Sequence, residues 1–420
     1  MTTPTSDPKG SRNFESELER YAEALWPQDW RQELLDQARA DDTDSLADVN
    51  DLAAWPTSRP MSRRRLMSWA GTVGVSAAAA AIGLQQVRGR SSVSQAGEGV
   101  AATADTPSLE EIVRRAAAGP VGSTPGITPL VEPTRDFFRI DAALTTPQID
   151  PATWSLTVKG MVDQELTFTY DELLARAETI APITLTCVSN QVGADLVGNA
   201  IWRGVPLSEL LNEAGVQPGA TQIASRSIDG YTGGFPTEAA FDGRTALVVV
   251  GMNGEPLPVA HGFPARLLVS GLYGYTSATK WLTQIELTTL ESFDAFWVPR
   301  GWAKIAPSKT QSRIDTPRDG QQFSAGETVP IAGVAWATNS GIAKVEVQID
   351  DGEWLAAELG ESLGPEAWVQ WLVQWMATEG RHSLTVRATD GNGETQTSVR
   401  TPPADPDGAT GWHSVEVQVT

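Results

Sequence analysis

The sequence predicts an α+β domain followed by an all-β sandwich, and three observations carry this. From Phe137 to about residue 316, short strand candidates mix with a few helices and never settle into the strand–helix alternation of a doubly wound sheet. Beyond Pro317, apolar residues recur at every second position between turn signals. The chain has 420 residues, 41% of them hydrophobic, enough for two separate cores.

Residues 1–60 hold 13 acidic and 6 basic side chains and read as an acidic leader, disordered or partly helical, with Phe14, Leu18, Tyr21, Ala24 and Leu25 at helical spacing. Met61 then opens Ser62-Arg63-Arg64-Arg65-Leu66-Met67, followed by the uncharged run Trp69–Leu84 and by Arg88 and Arg90. This is the layout of a twin-arginine export signal, assigned to residues 61–96. The Ala- and Gly-rich run is shorter than the roughly 20 apolar residues of a membrane span, and Ser94-Gln95-Ala96 offers small residues to a signal peptidase. A cleaved signal therefore fits better than an anchor, with a tether through residues 69–84 as the other reading. The expected location is beyond the cytoplasmic membrane: periplasm, cell wall or outside the cell. Because 60 polar residues precede the signal, either Met61 is the true start or the leader stays in the cytoplasm. Residues 97–125, rich in Ala, Gly, Pro and Thr, are expected to be an extended linker.

The first folded domain is expected over residues 126–316. Trp154–Gly160 alternates as a strand, Tyr170–Ala177 and Pro206–Ala214 read as short helices, and Ala246–Gly251 and Ala265–Ser270 as buried strands. No Gly-rich phosphate loop or dinucleotide fingerprint is present. The second domain is expected over residues 317–420. There Ala343, Val345, Val347 and Ile349 alternate with Lys344, Glu346 and Gln348 until Asp350-Asp351-Gly352 turns the chain. A similar turn recurs at Asp390-Gly391-Asn392-Gly393, and Trp368–Met376, Ser383–Ala388 and Trp412–Val419 give further strands of a sandwich. Trp336, Trp354, Trp368, Trp371, Trp375 and Trp412 are read as core and interface packing.

Composition excludes several functions. With 52 acidic against 31 basic side chains the molecule repels phosphate backbones, so nucleic acid is not an expected partner. A single cysteine rules out an intrachain disulfide, a multi-cysteine zinc site and an iron–sulfur cluster. His261, His382 and His413 are too scattered to suggest a histidine metal site.

Cys187 lies in Ile183-Thr184-Leu185-Thr186-Cys187-Val188-Ser189-Asn190, where a β-branched strand runs into a polar loop. By itself it is either an inert core cysteine or a soft ligand or nucleophile that needs positive groups nearby to stay deprotonated. Further along stand His261-Gly262-Phe263-Pro264-Ala265-Arg266 and, after the turn-rich stretch Gly271–Ser277, Lys280. Arg offers a phosphate a planar fork of donors, Lys a point charge, and Ser and Thr neutral donors. Ordinary strand-end charges are the other reading of Arg266 and Lys280.

Four blocks together, Thr184–Asn190, Trp202-Arg203-Gly204-Val205-Pro206-Leu207, His261–Arg266 and Ala278-Thr279-Lys280-Trp281, resemble the sulfite-oxidase-type molybdopterin-dependent oxidoreductases, in that family's order and with similar separations. Gly333-Val334-Ala335-Trp336 through Val345–Asp350 resembles the same family's immunoglobulin-like dimerisation domain, and the resemblance covers about residues 126–420. It implies a molybdenum–molybdopterin cofactor with Cys187 as the metal's protein thiolate, and contacts to the cofactor from Phe138, Arg139, Asp229, His261, Arg266, Ser277, Thr279 and Lys280. It implies oxygen-atom transfer to or from a small substrate, sulfite-like or an S- or N-oxide, with Arg139 or Arg203 attracting an anion and Trp297, Arg300 and Trp302 walling the pocket. It also implies a homodimer through the sandwich.

Sulfite-oxidising members carry an arginine soon after the metal cysteine, whereas here Asn190 is followed by Gln191-Val192-Gly193, so one sulfite-binding cation is missing. No haem-binding segment appears, and electrons are expected to pass to a separate protein or a membrane quinone system. A cofactor inserted in the cytoplasm requires export of the folded protein, which agrees with a twin-arginine signal. Two other functions stay open: a cofactor-free secreted binding protein that uses the sandwich, and a hydrolase pairing Cys187 with His261.

Overall fold

The computed structural model describes residues 109–143, 145–404 and 406–420. The acidic leader, the twin-arginine segment with Trp69–Leu84 and Ser94-Gln95-Ala96, and the first part of the linker lie outside the described residues. Among the described residues no helix is long and apolar enough to cross a membrane.

Part of the segment expected to be an extended linker is instead helix α1, Leu109–Ala118. Glu110 and Glu111 in its first turn and Arg115 in its last complement the helix dipole, and its buried Ala116 packs with Leu130, Val334, Trp336 and Trp368.

The α+β domain is built on two sheets. One has the order β2-β1-β10-β5-β6, formed by Ser155–Gly160 (β1), Leu166–Thr169 (β2), Gln222–Ser227 (β5), Thr232–Pro236 (β6) and Leu282–Thr288 (β10). The other joins Thr179–Thr186 (β3), Val197–Pro206 (β4), Ala246–Met252 (β7) and Glu255–Pro256 (β8), with Arg266–Val269 (β9) also paired to β7. Strand β7 is buried along its whole length. Because successive side chains point to opposite faces, Val248 and Val250 enter the core shared with the first sheet while Leu247 and Val249 enter a second cluster around Trp202 and Phe137. Helices α2, Tyr170–Arg176, and α3, Leu207–Ala214, bury Leu173, Leu207, Leu210 and Leu211 in the shared core. A Thr169/Glu172 capping box starts α2.

The second domain is a sandwich of a four-stranded sheet, β11-β13-β17-β16, on a five-stranded sheet, β12-β19-β18-β14-β15. The first comprises Gln311–Thr316 (β11), Thr328–Trp336 (β13), Glu358–Leu359 (β16) and Val369–Met376 (β17); the second Gln322–Phe323 (β12), Ile342–Ile349 (β14), Trp354–Ala356 (β15), Gly380–Asp390 (β18) and His413–Val419 (β19). Strand β11 pairs with β13, so the sandwich begins at about residue 311 rather than 317. Its apolar alternation is short and Pro317 follows it, which hides it from a periodicity argument. Trp371 and Trp375 lie in the sandwich core, and Trp336 and Trp368 in the cluster that meets α1. Trp354 and Trp412 are half-buried, their rings 5.0 Å apart, with the Arg387 guanidinium 4.0 Å from the Trp354 ring.

The two domains meet beside Cys187. Thr184 donates its backbone N–H to the Glu366 carbonyl at 2.9 Å and accepts from Trp368 N at 2.7 Å. Arg313 reaches the Ala194 carbonyl at 3.0 Å, Thr128 Oγ1 at 2.8 Å and Asp315 at 2.6 Å. His413 Nδ1 accepts from Ile314 N at 3.0 Å, and its ring fills the space against Gly193, whose φ of +83° and contact with the ring exclude any side chain there. Burial, with Arg313 second, pushes the His413 imidazole down to about 4. The folded state thus disfavours the charged ring: its stabilising effect is complete above the ordinary pKa of about 6.5 and is lost as pH falls through about 4. Relative to His413→Asn, whose Oδ1 can accept the same bond, the wild type is expected to lose up to about 3 kcal/mol between pH 6.5 and pH 4. Denaturant melts of both proteins across that range check this, and a pH-independent difference would refute it.

Candidate cofactor site

Cys187 follows the last residue of β3, and its backbone N–H donates to the Leu196 carbonyl at 2.9 Å, which closes the polar loop behind it. The side chain is half-buried, with Sγ 2.9 Å from the Ser189 hydroxyl. Burial raises the thiol above its usual range, and the Ser189 hydrogen bond opposes this. Next to it, Val188 packs with Tyr273, Tyr275, Trp297, Trp302 and Ala306. Tyr231 is fixed among these groups: its hydroxyl donates to the Tyr275 carbonyl at 2.7 Å and accepts from Trp297. Burial, then the nearby Cys187, hold that phenol far above its usual range.

The second half of the site is cationic. Arg266 opens β9 on the face it shares with Leu268, toward Trp202 and Phe137, and only 3% of it is exposed. Its guanidinium lies 5.2 Å from the Trp202 ring and donates to the carbonyls of His261 at 3.1 Å and Ala278 at 3.4 Å, while Nε–H has no hydrogen-bond partner. Burial lowers it to about 10. His261 stands edge-on to Phe137 at 5.7 Å, with Nε2 3.1 Å from the Thr134 carbonyl. Burial, then Arg266, lower its pKa. Lys280 donates to the Ala260 carbonyl at 3.1 Å and contacts Asp141; burial, then Arg139, push it down to about 7.

Local backbone geometry brings these groups together. Gly262 has φ of +114°, and a Cβ there would meet Arg266 and Lys280 at 3.0–3.1 Å. Trp281 adopts φ of +50°, costly for a non-glycine residue, and its indole is pinned to the Val259 carbonyl at 2.8 Å. Residues 274–280 link the two halves: a Cβ at Gly274 would touch Leu185 at 3.4 Å at the end of β3, and Thr279 O accepts from Leu267 N on β9.

Not every predicted contact has a free group. Ser277 is fully buried and donates to the carbonyls of Leu272 and Tyr273, and Thr279 is hydrogen-bonded to Ser225 at 2.7 Å. Both hydroxyls therefore shape the 274–280 turn. Phe138 stacks on Phe137 at 5.1 Å, and Asp229 caps the β5–β6 turn by accepting from Tyr231 N at 3.0 Å. Burial raises the Asp229 carboxyl. Arg203 is a correction. It is exposed, donates to the Ala177 carbonyl, and pairs with Ile180 seven residues before Cys187, about 23 Å along an extended strand. Arg300 is turned onto Phe296, its guanidinium 3.8 Å from that ring. Cys187 and His261 bond to Ser189 and Thr134, so the nucleophile–base contact of a hydrolase is not made.

Sequence reasoning missed Ser189, Asp141 and Glu132. The first two lie two positions from residues it had singled out, which is the only signal available. Glu132 carried none; burial pushes its carboxyl up to about 7 against the pull of Arg313, with Asp315, Asp136 and Asp195 adding to the rise.

Residues 143–297 match the family model for the oxidoreductase molybdopterin binding domain, and residues 311–386 that for a bacterial Ig domain. Human mitochondrial sulfite oxidase is 29% identical over 330 residues, covering 66% of this chain and 60% of that protein. Nitrate reductase [NADH] 1 of Oryza sativa subsp. japonica is 27% identical over 320 residues, covering 60% of this chain and 34% of the relative. The chain thus spans under two thirds of the length of the curated relatives it matches. The crystal structure of the sulfane dehydrogenase SoxCD from Paracoccus pantotrophus shares the fold, with a TM-score of 0.57 at 23% identity over 68% of this chain and 83% of that one. With the Cys187 strand end, the Arg266 pocket and the sandwich behind them, this chain carries a molybdopterin-binding oxidoreductase domain followed by an immunoglobulin-like domain and is similar to the sulfite oxidases.

Proposed function

We propose that the strip from Cys187 to Lys280 holds a molybdopterin cofactor, with the Cys187 thiolate as the protein's ligand to molybdenum, and that the protein transfers an oxygen atom to or from a small substrate. The observation that carries this reading is Arg266. A buried guanidinium that faces carbonyls and one aromatic ring, with an unpaired N–H and no carboxylate contact, is costly until an anion joins it. A phosphate fits that need, with His261, Lys280 and Arg139 around it. At the other end the thiol must lose its proton to bind a cation, which its raised pKa makes dependent on the metal.

When bound, the cofactor supplies the two-electron metal and the oxo group that such chemistry needs. The chain's own part is to bind and orient. Ser189 fixes the sulfur, and Asp229, at the β5–β6 turn, can accept a hydrogen bond from a heterocycle. Trp297, Trp302, Tyr231 and Tyr275 exclude water from the face beside Cys187. Gln191, where sulfite oxidisers have a cation, favours a less anionic substrate than sulfite.

Export rests on the twin-arginine pattern at residues 61–96, and a homodimer and a separate electron-transfer protein or quinone on the family resemblance. Protein made in cells with intact cofactor synthesis is expected to contain about one molybdenum per chain. A well-folded preparation with less than about one-tenth of an equivalent would overturn the reading in favour of a cofactor-free binding protein.

A further inference from the structure

Two of the cations at the phosphate end are already matched from within the chain. Asp141 contacts Lys280 Nζ with one carboxylate oxygen and Arg139 Nε with the other, and only 9% of its side chain and 11% of that of Lys280 are exposed. Thr146 Oγ1 holds the Arg139 guanidinium from its far side at 2.6 Å. A structural ion pair in an interior is usually held further by backbone N–H groups on the spare lone pairs. Among the described residues Asp141 has none: one oxygen meets the Lys280 ammonium and the other is bonded to Arg139. Among the described residues its partners are thus two of the side chains assigned above to the cofactor's phosphate. Arg266 makes no contact with it and stays unmatched.

We propose that Asp141 is a built-in stand-in for a phosphate monoester, holding Lys280 and Arg139 in place before the cofactor is loaded and releasing them when its phosphate arrives. The proposal rests on the phosphate-site reading above and adds how the site is kept ready. While it is paired, the carboxylate cancels one charge of a crowded cationic cluster, which lowers the cost of folding the unloaded domain. A phosphate dianion has more acceptor oxygens than a carboxylate and carries more charge, so it can engage Arg266 and His261 as well. The same displacement makes binding of a small free phosphate weak, because every entering anion must first compete with Asp141.

The test uses the full chain made in cells unable to synthesise molybdopterin, with inorganic phosphate as the probe in calorimetric titrations at low ionic strength. Asp141→Asn is expected to bind phosphate at least about tenfold more tightly than wild type, about 1.4 kcal/mol, and Lys280→Met to abolish binding in either background. Unchanged or weaker affinity in Asp141→Asn, with Lys280 still required, overturns the stand-in role and leaves the phosphate site in place. Binding indifferent to Lys280 shows instead that the phosphate-site reading has failed. If Asp141→Asn does not fold, Asp141→Ser takes its place; failure of both to fold makes Asp141 a structural ion-pair partner and overturns the proposal. In cells that make the cofactor, molybdopterin content per chain is expected to match or exceed wild type in the Asp141 variant and to fall in Lys280→Met, which separates the cofactor's phosphate from free phosphate. A content below about half of wild type in the Asp141 variant also refutes the idea, since the carboxylate would then be needed in the loaded state.

Discussion

Cys187→Ser is expected to retain its fold and to lose turnover by about three orders of magnitude or more, equivalent to at least about 4 kcal/mol of transition-state stabilisation. The fold survives because the sulfur is half-buried at a strand end and its side-chain hydrogen bond goes to the neighbouring Ser189 hydroxyl, which serine can keep. Activity does not survive because an alcohol gives up its proton far less readily than a thiol, and its hard oxygen is a poor substitute for a soft thiolate on the metal. The measurement is kcat per bound molybdenum, with far-UV circular dichroism as the control for folding. Wild-type kcat in protein of known metal content would remove Cys187 from the metal site.

Trp202→Ala is expected to cost about 3–5 kcal/mol of stability and to lower cofactor retention as well. The indole is fully buried, donates to the Ile183 carbonyl at 3.1 Å, meets Phe137 edge-on at 5.5 Å and forms the ring under Arg266. Its loss opens a cavity between β3, β4 and β9 and leaves the guanidinium without its platform. For a domain of this size the melting midpoint should fall by roughly 6–20 °C. Trp202→Phe keeps an aromatic face but forfeits the indole hydrogen bond, so it should lie between the two. A shift below about 2 °C in Trp202→Ala would contradict the packing role. Normal molybdopterin content in a destabilised variant would separate the fold effect from any hold on Arg266.

Where periodicity was strong, the sequence was legible. The helices over Tyr170–Arg176 and Leu207–Ala214, the strand Ala246–Met252 and the alternating β14 fall within one or two residues of expectation, because each is dictated by apolar spacing and end signals within a short window. The α1 helix in the supposed linker was missed because its single buried residue, Ala116, is too small to make an apolar stripe, and its burial depends on Trp336 and Trp368 from the far domain. Strand β11 was assigned to the wrong domain for a related reason: its partner β13 begins twelve residues after it ends.

The site divides along the same line. Residue type made Cys187 at a strand end and His261, Arg266 and Lys280 candidates, and the family resemblance made them a ligand and a cationic set, since soft sulfur and planar or point cations are chemical properties of the side chains themselves. Which of those groups is free to act was decided by tertiary structure. Arg203 and Arg266 are the same residue type, yet one is exposed at the far end of β3 and the other is buried over Trp202 with an unpaired N–H. Ser277 and Thr279 use their hydroxyls within the fold, and Asp141 stands among the cations because residues 139 and 280 come together only when the chain closes. The physical reason is that hydrogen bonding, burial and ion pairing depend on neighbours distant in the chain, whereas ligand softness and charge are carried by each residue wherever it lies.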